Sequence, residues 1–184
     1  PYCEIQFADG SFALRNSGHG INPDHPVKSV SWYGAAAYCN WLSLREGLPP
    51  AYDHHTWQPV SGSLYEQSGY RLPSEAEWER AAKYDDDRLY PWGDESPTCS
   101  RANYAACGSW TLPVGSLPAE KSIGGVAMYD MAGNAFEWCA DWFVCNLGTD
   151  PVTDPEGPAS GDDRFFRGGG TSAGLDEELM CSFR

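Results

Sequence analysis

The chain has 184 residues, enough for one domain with a substantial core, and carries 12 Lys and Arg against 26 Asp and Glu for a net charge of -14. That deficit of cations excludes binding to nucleic-acid phosphates or anionic membrane surfaces, which needs clustered Lys and Arg, and no apolar run approaches the roughly 20 residues of a membrane span. Aromatics at 14% with 20 Gly and 14 Pro describe a chain of turns and packed rings rather than of long helices.

The first segment, residues 3–14, alternates apolar and polar residues around Asp9-Gly10, which predicts a β-hairpin. A turn-rich stretch with Asn16, Gly18, Gly20 and Pro23 follows. From Ser31 to about Glu46 the period becomes helical, with Ser31 as the N-cap and Gly47 as the stop, and Trp32, Ala36, Cys39 and Leu42 share one stripe. Residues 49–69 read as a loop with one short strand, and His54-His55 as a solvated pair rather than metal ligands, because adjacent side chains diverge. Ser74-Glu75-Ala76-Glu77 is a capping box that opens a second helix running to about Lys83. Asp85-Asp86-Asp87 reads as a solvated turn.

Beyond Gly93 the chain is loops and short strands, of which 114–116, 126–129 and 165–167 are the readable pieces. Cys99 and Cys107 bracket a short loop and are expected to form a disulfide, which favours an oxidising compartment. The chain begins at Pro1 with no Met and no signal-like segment and reads as a processed or excised fragment whose targeting sequence is not visible, while the expected disulfide makes an extracytoplasmic or secreted location the expectation. Two helices among short strands and long irregular loops make an α+β fold.

One stretch, Tyr129 to Trp142, stands out. Asp130 and Glu137 bracket Gly133-Asn134, a pair that tolerates positive φ and therefore a tight turn. Such a turn points carbonyl oxygens to one side, and with two carboxylates it forms an all-oxygen cage suited to calcium. The other reading has Asp130 capping the turn and Glu137 buried against an arginine.

The same stretch resembles the Gly-Asn-Ala/Val-Trp-Glu-Trp signature of the formylglycine-generating-enzyme, or sulfatase-modifying-factor, family. His25-Pro26-Val27 with the segment 30–42, Tyr70 to Glu79, Tyr90 to Glu95, and Arg167-Gly168-Gly169 resemble further motifs of that family in the same order. The resemblance runs from about residue 25 to the end. It implies a C-type-lectin-like FGE-sulfatase fold with two helices, short antiparallel strands and extensive irregular loops, in one domain over 1–184 that stops before the family's last C-terminal strand. It also implies a structural calcium held by the Asp130 and Glu137 side chains and the carbonyls of Gly133 and Ala135. A second family site would use Asn103 and Tyr104, but the aspartate expected shortly after them is missing.

Formylglycine-generating enzymes carry two cysteines a few residues after Arg-Gly-Gly that bind copper(I) and oxidise a substrate cysteine. Ala173 and Glu178 stand at the matching distance here, with Cys181 alone nearby, and one thiolate does not hold copper(I). Copper is therefore not expected. The iron-binding histidines of the ergothioneine-synthase relatives are absent, and no nucleophile-elbow motif supports a serine triad. The expected function is a non-catalytic, calcium-stabilised module that binds a protein or small-molecule ligand, with Asp176, Glu177 and Glu178 on its contact loop. The alternative is a copper-dependent oxidase converting a sulfatase cysteine to formylglycine.

Overall fold

A computed structural model describes residues 5–8, 11–16, 18–108, 110–123, 126–146, 148 and 150–184. In chain order the elements are strands β1 (Ile5–Ala8) and β2 (Ser11–Leu14), helices α1 (Trp32–Arg45) and α2 (Glu75–Lys83), then strands β3 (Glu120–Ile123), β4 (Val126–Met128), β5 (Glu137–Trp142) and β6 (Arg164–Arg167). Single 3-10 turns sit at Ala105–Cys107 and Asp176–Leu179. The strands form three two-stranded sheets, β1 with β2, β3 with β4, and β5 with β6. This is the α+β architecture the sequence predicts, and most of the chain is irregular. No helix among the described residues is long and apolar enough to cross a membrane.

Local chemistry accounts for the helix boundaries. The Ser31 hydroxyl accepts from the Gly34 amide at 3.1 Å, satisfying one of the orphan donors of α1, and Gly47 turns the chain away at φ +74. Ser74 and Glu77 satisfy each other reciprocally: the Ser74 amide donates to Glu77 at 2.8 Å and the Glu77 amide to the Ser74 hydroxyl at 3.1 Å. A cap of this kind contributes about 1 kcal/mol. β1 and β2 pair antiparallel in the predicted hairpin, while its Asp9-Gly10 turn and Cys3 lie outside the described residues.

The described residues divide into two compact units, one from Pro1–Val30, Glu79–Glu137 and Arg167–Arg184, the other from Ser31–Trp78 and Trp138–Phe166. In the second unit Trp32, Ala36, Ala51, Tyr52, Leu64 and Ala140 form the buried cluster, with Cys39, Trp57, Leu72 and Trp138 packed against it. The Trp32 indole donates to the Cys139 carbonyl at 2.8 Å, so a large ring is buried without orphaning its N–H. At the last turn of α1 the buried residue is Ser43 rather than the expected Leu42, because the Ser43 hydroxyl donates to the Cys39 carbonyl and accepts from the Tyr70 amide. The first unit is built round Tyr90, Ala102, Ala132, Ala173 and Leu179. Its Cys99 and Cys107 are joined, with Cα atoms 5.5 Å apart, as expected. Closing a loop this short contributes about 2–3 kcal/mol.

Asp141 on β5 gives the second unit a pH dependence. Its carboxylate accepts from the Glu75 amide at 2.7 Å, but burial dominates and pushes its pKa up to about 6. An unfolded Asp titrates near 4, so between about pH 4 and 6 the folded chain binds the extra proton and stability rises as pH falls through that window. Asp141→Asn is expected to remove about 1–2 kcal/mol of the difference between pH 4.5 and pH 7.5, after discounting for solvent screening, in paired urea titrations. An unchanged pH profile in that variant would contradict the assignment.

Candidate metal centre and contact loop

The turn after β4 is built from backbone conformations that few residues adopt. Asp130 sits at φ +57, Gly133 at +82 and Asn134 at +65. The turn is held from three sides. The Gly133 amide donates to the Gly168 carbonyl at 2.7 Å, the Asn134 amide to the Asn103 carbonyl at 2.7 Å, and the Ala135 amide back to the Gly133 carbonyl at 2.8 Å. Asn134 is buried, and its side chain clamps the neighbouring loop by accepting from the Leu112 amide at 2.8 Å and donating to the Leu112 carbonyl at 3.1 Å. The Asp130 carboxylate accepts from the Gly115 amide at 2.7 Å. Thus part of Asp130 caps a neighbouring turn, and its second oxygen remains for other work.

The four residues expected to hold calcium come together. Asp130, Gly133, Ala135 and Glu137 all line one cavity of about 340 Å³, with Pro26 and Val114 among its walls. The donors are carboxylates and carbonyls, hard oxygens that fit calcium and not a soft metal. Among the described residues no group of three or more His, Cys, Asp or Glu side chains stands close enough to hold a metal ion, so a cation here must rely on backbone carbonyls. Glu120 is a third acid of this neighbourhood, one that sequence reasoning missed. One of its oxygens is buried without a partner, and burial pushes its pKa up to about 8, with the charges of Asp130 and Glu137 adding to the effect. A cation among these acids would offset that mutual repulsion.

Asn103 and Tyr104 do not line this cavity. Asn103 is buried behind the turn, where its amide group donates to the Trp110 carbonyl at 2.7 Å while its side-chain oxygen has no partner. The Tyr104 carbonyl accepts from the Cys107 amide at 2.9 Å. The acid expected to complete a second site with them is missing from residues 105–112.

The loop after β6 begins with three glycines, and at the middle one nothing larger fits. A Cβ on Gly169 would lie 2.8 Å from the Glu178 carbonyl oxygen. The loop then folds into the 3-10 turn Asp176–Leu179, and its three acids separate. Glu178 turns inward, accepting from the Gly174 amide at 2.6 Å and the Leu175 amide at 2.9 Å, whereas Asp176 and Glu177 are exposed. Ala173 and Cys181 are buried. Burial pushes the Cys181 thiol up to about 12, with the charge of Glu120 adding to it.

A family model described as a sulfatase-modifying factor enzyme 1-like domain, FGE-sulfatase, matches residues 5–184. Serine/threonine-protein kinase pkn1 of Chlamydia caviae is 36% identical over 187 residues, covering 98% of this chain and 25% of the kinase. The formylglycine-generating enzyme of Thermomonospora curvata is 35% identical over 164 residues, covering 80% of this chain and 45% of the enzyme. The solved structure of Treponema denticola variable protein 1 is similar with a TM-score of 0.70 at 31% identity, covering 86% of this chain and 64% of that one. The chain spans less than half the length of these two curated relatives.

Proposed function

Because the chain belongs to the FGE-sulfatase family of sulfatase-modifying factor enzyme 1-like domains, we propose that it is a non-catalytic binding module, braced by calcium at the 130–137 turn and presenting the loop after Gly168-Gly169-Gly170 to a partner. The observation that carries this reading is the chemistry of that loop. Where the family's oxidases place a copper-binding cysteine pair, the chain has Ala173, buried in the core, and Glu178, committed to two backbone amides. The nearby Cys181 is a buried thiol, and copper(I) is held by accessible pairs of soft thiolates. The exposed face of the loop instead offers Asp176 and Glu177 beside Leu175, a hard and negative surface that favours a basic partner.

Calcium would be held by the carboxylates of Asp130 and Glu137 and the carbonyls of Gly133 and Ala135. Bound there, it supplies charge neutralisation and a crosslink across a strained turn, not a chemical step. That turn hydrogen-bonds the Gly168 carbonyl, so bracing it also fixes the base of the contact loop. The Cys99–Cys107 disulfide supports an oxidising, extracytoplasmic setting. That the similarity to the pkn1 kinase spans only a quarter of that protein supports a fold that serves as a module in longer chains.

Mass spectrometry of a Cys-x-Pro-x-Arg peptide incubated with the protein, copper(I) and oxygen tests the proposal. The cysteine is expected to stay unmodified. Conversion to the formylglycine aldehyde above the copper-only control would establish an oxidase instead.

A further inference from the structure

The second unit holds a cleft that neither the calcium brace nor the contact loop uses. Its volume is about 240 Å³, below the range of about 300–1,000 Å³ for drug-sized ligands, so its occupant is small. Arg164 stands in its wall with the guanidinium carbon over two indoles, 3.5 Å from the centroid of Trp142 and 3.9 Å from that of Trp32. Contact with two rings this close restrains the group and leaves its N–H edges for hydrogen bonding.

One edge is used and the other is not. Nη1 donates to the Ala140 carbonyl, whereas Nε is buried without a partner and Nη2 has none among the described residues. No carboxylate among the described residues hydrogen-bonds the guanidinium, and Asp141, which acts on it through its charge, accepts from the Glu75 amide at 2.7 Å. Burial outweighs the nearby charges and lowers the Arg164 pKa, the sign of a cation short of compensation. The Nε and Nη2 donors form the side-on fork that matches the two oxygens of a carboxylate. Trp57 and Tyr52 add further aromatic wall, a surface on which flat apolar rings stack. Glu156 also lines the cleft, bonded to the Ser63 hydroxyl, and its charge disfavours dianions such as phosphate or sulfate.

The cleft is preformed. Gly157 lies against Asp141, where a Cβ would come within 3.1 Å of the Asp141 Cβ, and Gly161 lies against Trp142, where a Cβ would come within 3.0 Å. These close approaches hold the irregular segment that carries Glu156 and Pro158 against β5. We propose that this cleft binds a small aromatic monocarboxylate, its carboxylate on the free edge of Arg164 and its ring against the tryptophan walls.

The test is calorimetric and fluorimetric titration of the full chain with benzoate. Saturable binding with a change in tryptophan emission is expected, insensitive to equimolar sulfate. Arg164→Lys keeps the charge but loses the fork, and is expected to weaken binding at least tenfold. Trp57→Phe, which leaves Arg164 untouched and keeps a ring against the core, is expected to weaken binding severalfold while the protein stays folded by circular dichroism, so the proposal does not depend on one variant folding. Absence of saturable binding up to millimolar benzoate would overturn it. So would equal affinity in wild type and Arg164→Lys, or sulfate displacing benzoate. None of these results depends on calcium or on the contact loop.

Discussion

Replacing Arg167 by alanine is expected to destabilise the protein by about 3–5 kcal/mol, from two buried carbonyls left unsatisfied at about 1–3 kcal/mol each and from the cavity the side chain leaves. The Arg167 side chain is fully buried in the first unit. It donates to the carbonyls of Cys181 and Phe183 and to Glu79 at 2.9 Å, tying residues near the end of the chain to one carboxylate. Glu79 also holds Lys83 at 2.9 Å and Arg184 at 2.7 Å, so its own charge is not stranded by the substitution. The loss comes instead from two carbonyls left without their donor and from the cavity. Arg184→Ala removes a partly exposed partner of the same carboxylate and is expected to cost no more than about 1 kcal/mol. Urea unfolding midpoints compare the two. Equal, small shifts would mean that Arg167 is not the anchor described here.

Gly133→Ala is expected to cost about 2–4 kcal/mol, from a left-handed backbone that alanine resists and a clash that cannot relax. At φ +82 its new Cβ would lie 2.7 Å from the Asn103 carbonyl oxygen and 2.9 Å from the Asn103 nitrogen. Both are backbone atoms of a residue whose carbonyl already accepts from Asn134. Gly115→Ala is the control. It has a similar φ of +68, but its Cβ would meet only the Tyr129 ring at 3.7 Å, so it is expected to show the conformational part alone, about 1 kcal/mol. Thermal unfolding in matched buffer separates the two, and a Gly133 variant no worse than the Gly115 variant would contradict the packing described.

The features legible in the sequence are those whose chemistry is local. Ser31 and the Ser74-Glu77 pair announce helix starts because a cap is made within a few residues, and both caps form as expected. Cys99 and Cys107 are close in sequence, and their loop fixes the pairing. The Gly133-Asn134 turn was readable because only a few residue types accept its φ values. What sequence missed depends on long-range partners. β5 does not alternate polar and apolar residues, because Cys139, Ala140 and Asp141 are buried in succession. The strand expected at 114–116 is a turn instead, with Gly115 at φ +68 donating to Asp130. Glu120, on a strand of polar appearance, carries no pattern that points to the acids near it. Glu178 looked like its neighbours Asp176 and Glu177 until the fold turned it inward. Arg164 sits in no recognisable motif, and its ring contacts join residues from α1, β5 and β6.

Whether calcium braces the turn at 130–137, as proposed, is decided by differential scanning calorimetry with and without a chelator. In calcium-containing buffer the protein is expected to melt well above its temperature in EGTA. Ligand present at a thousandfold over its Kd stabilises by about 4 kcal/mol, and that gain disappears on chelation. Readded calcium should restore it and magnesium should not, because magnesium demands a smaller, octahedral shell. Asp130→Ala and Glu137→Gln should melt at the same temperature in both buffers. A wild-type melting temperature indifferent to EGTA, after prior removal of bound metal is verified by elemental analysis, would contradict the account.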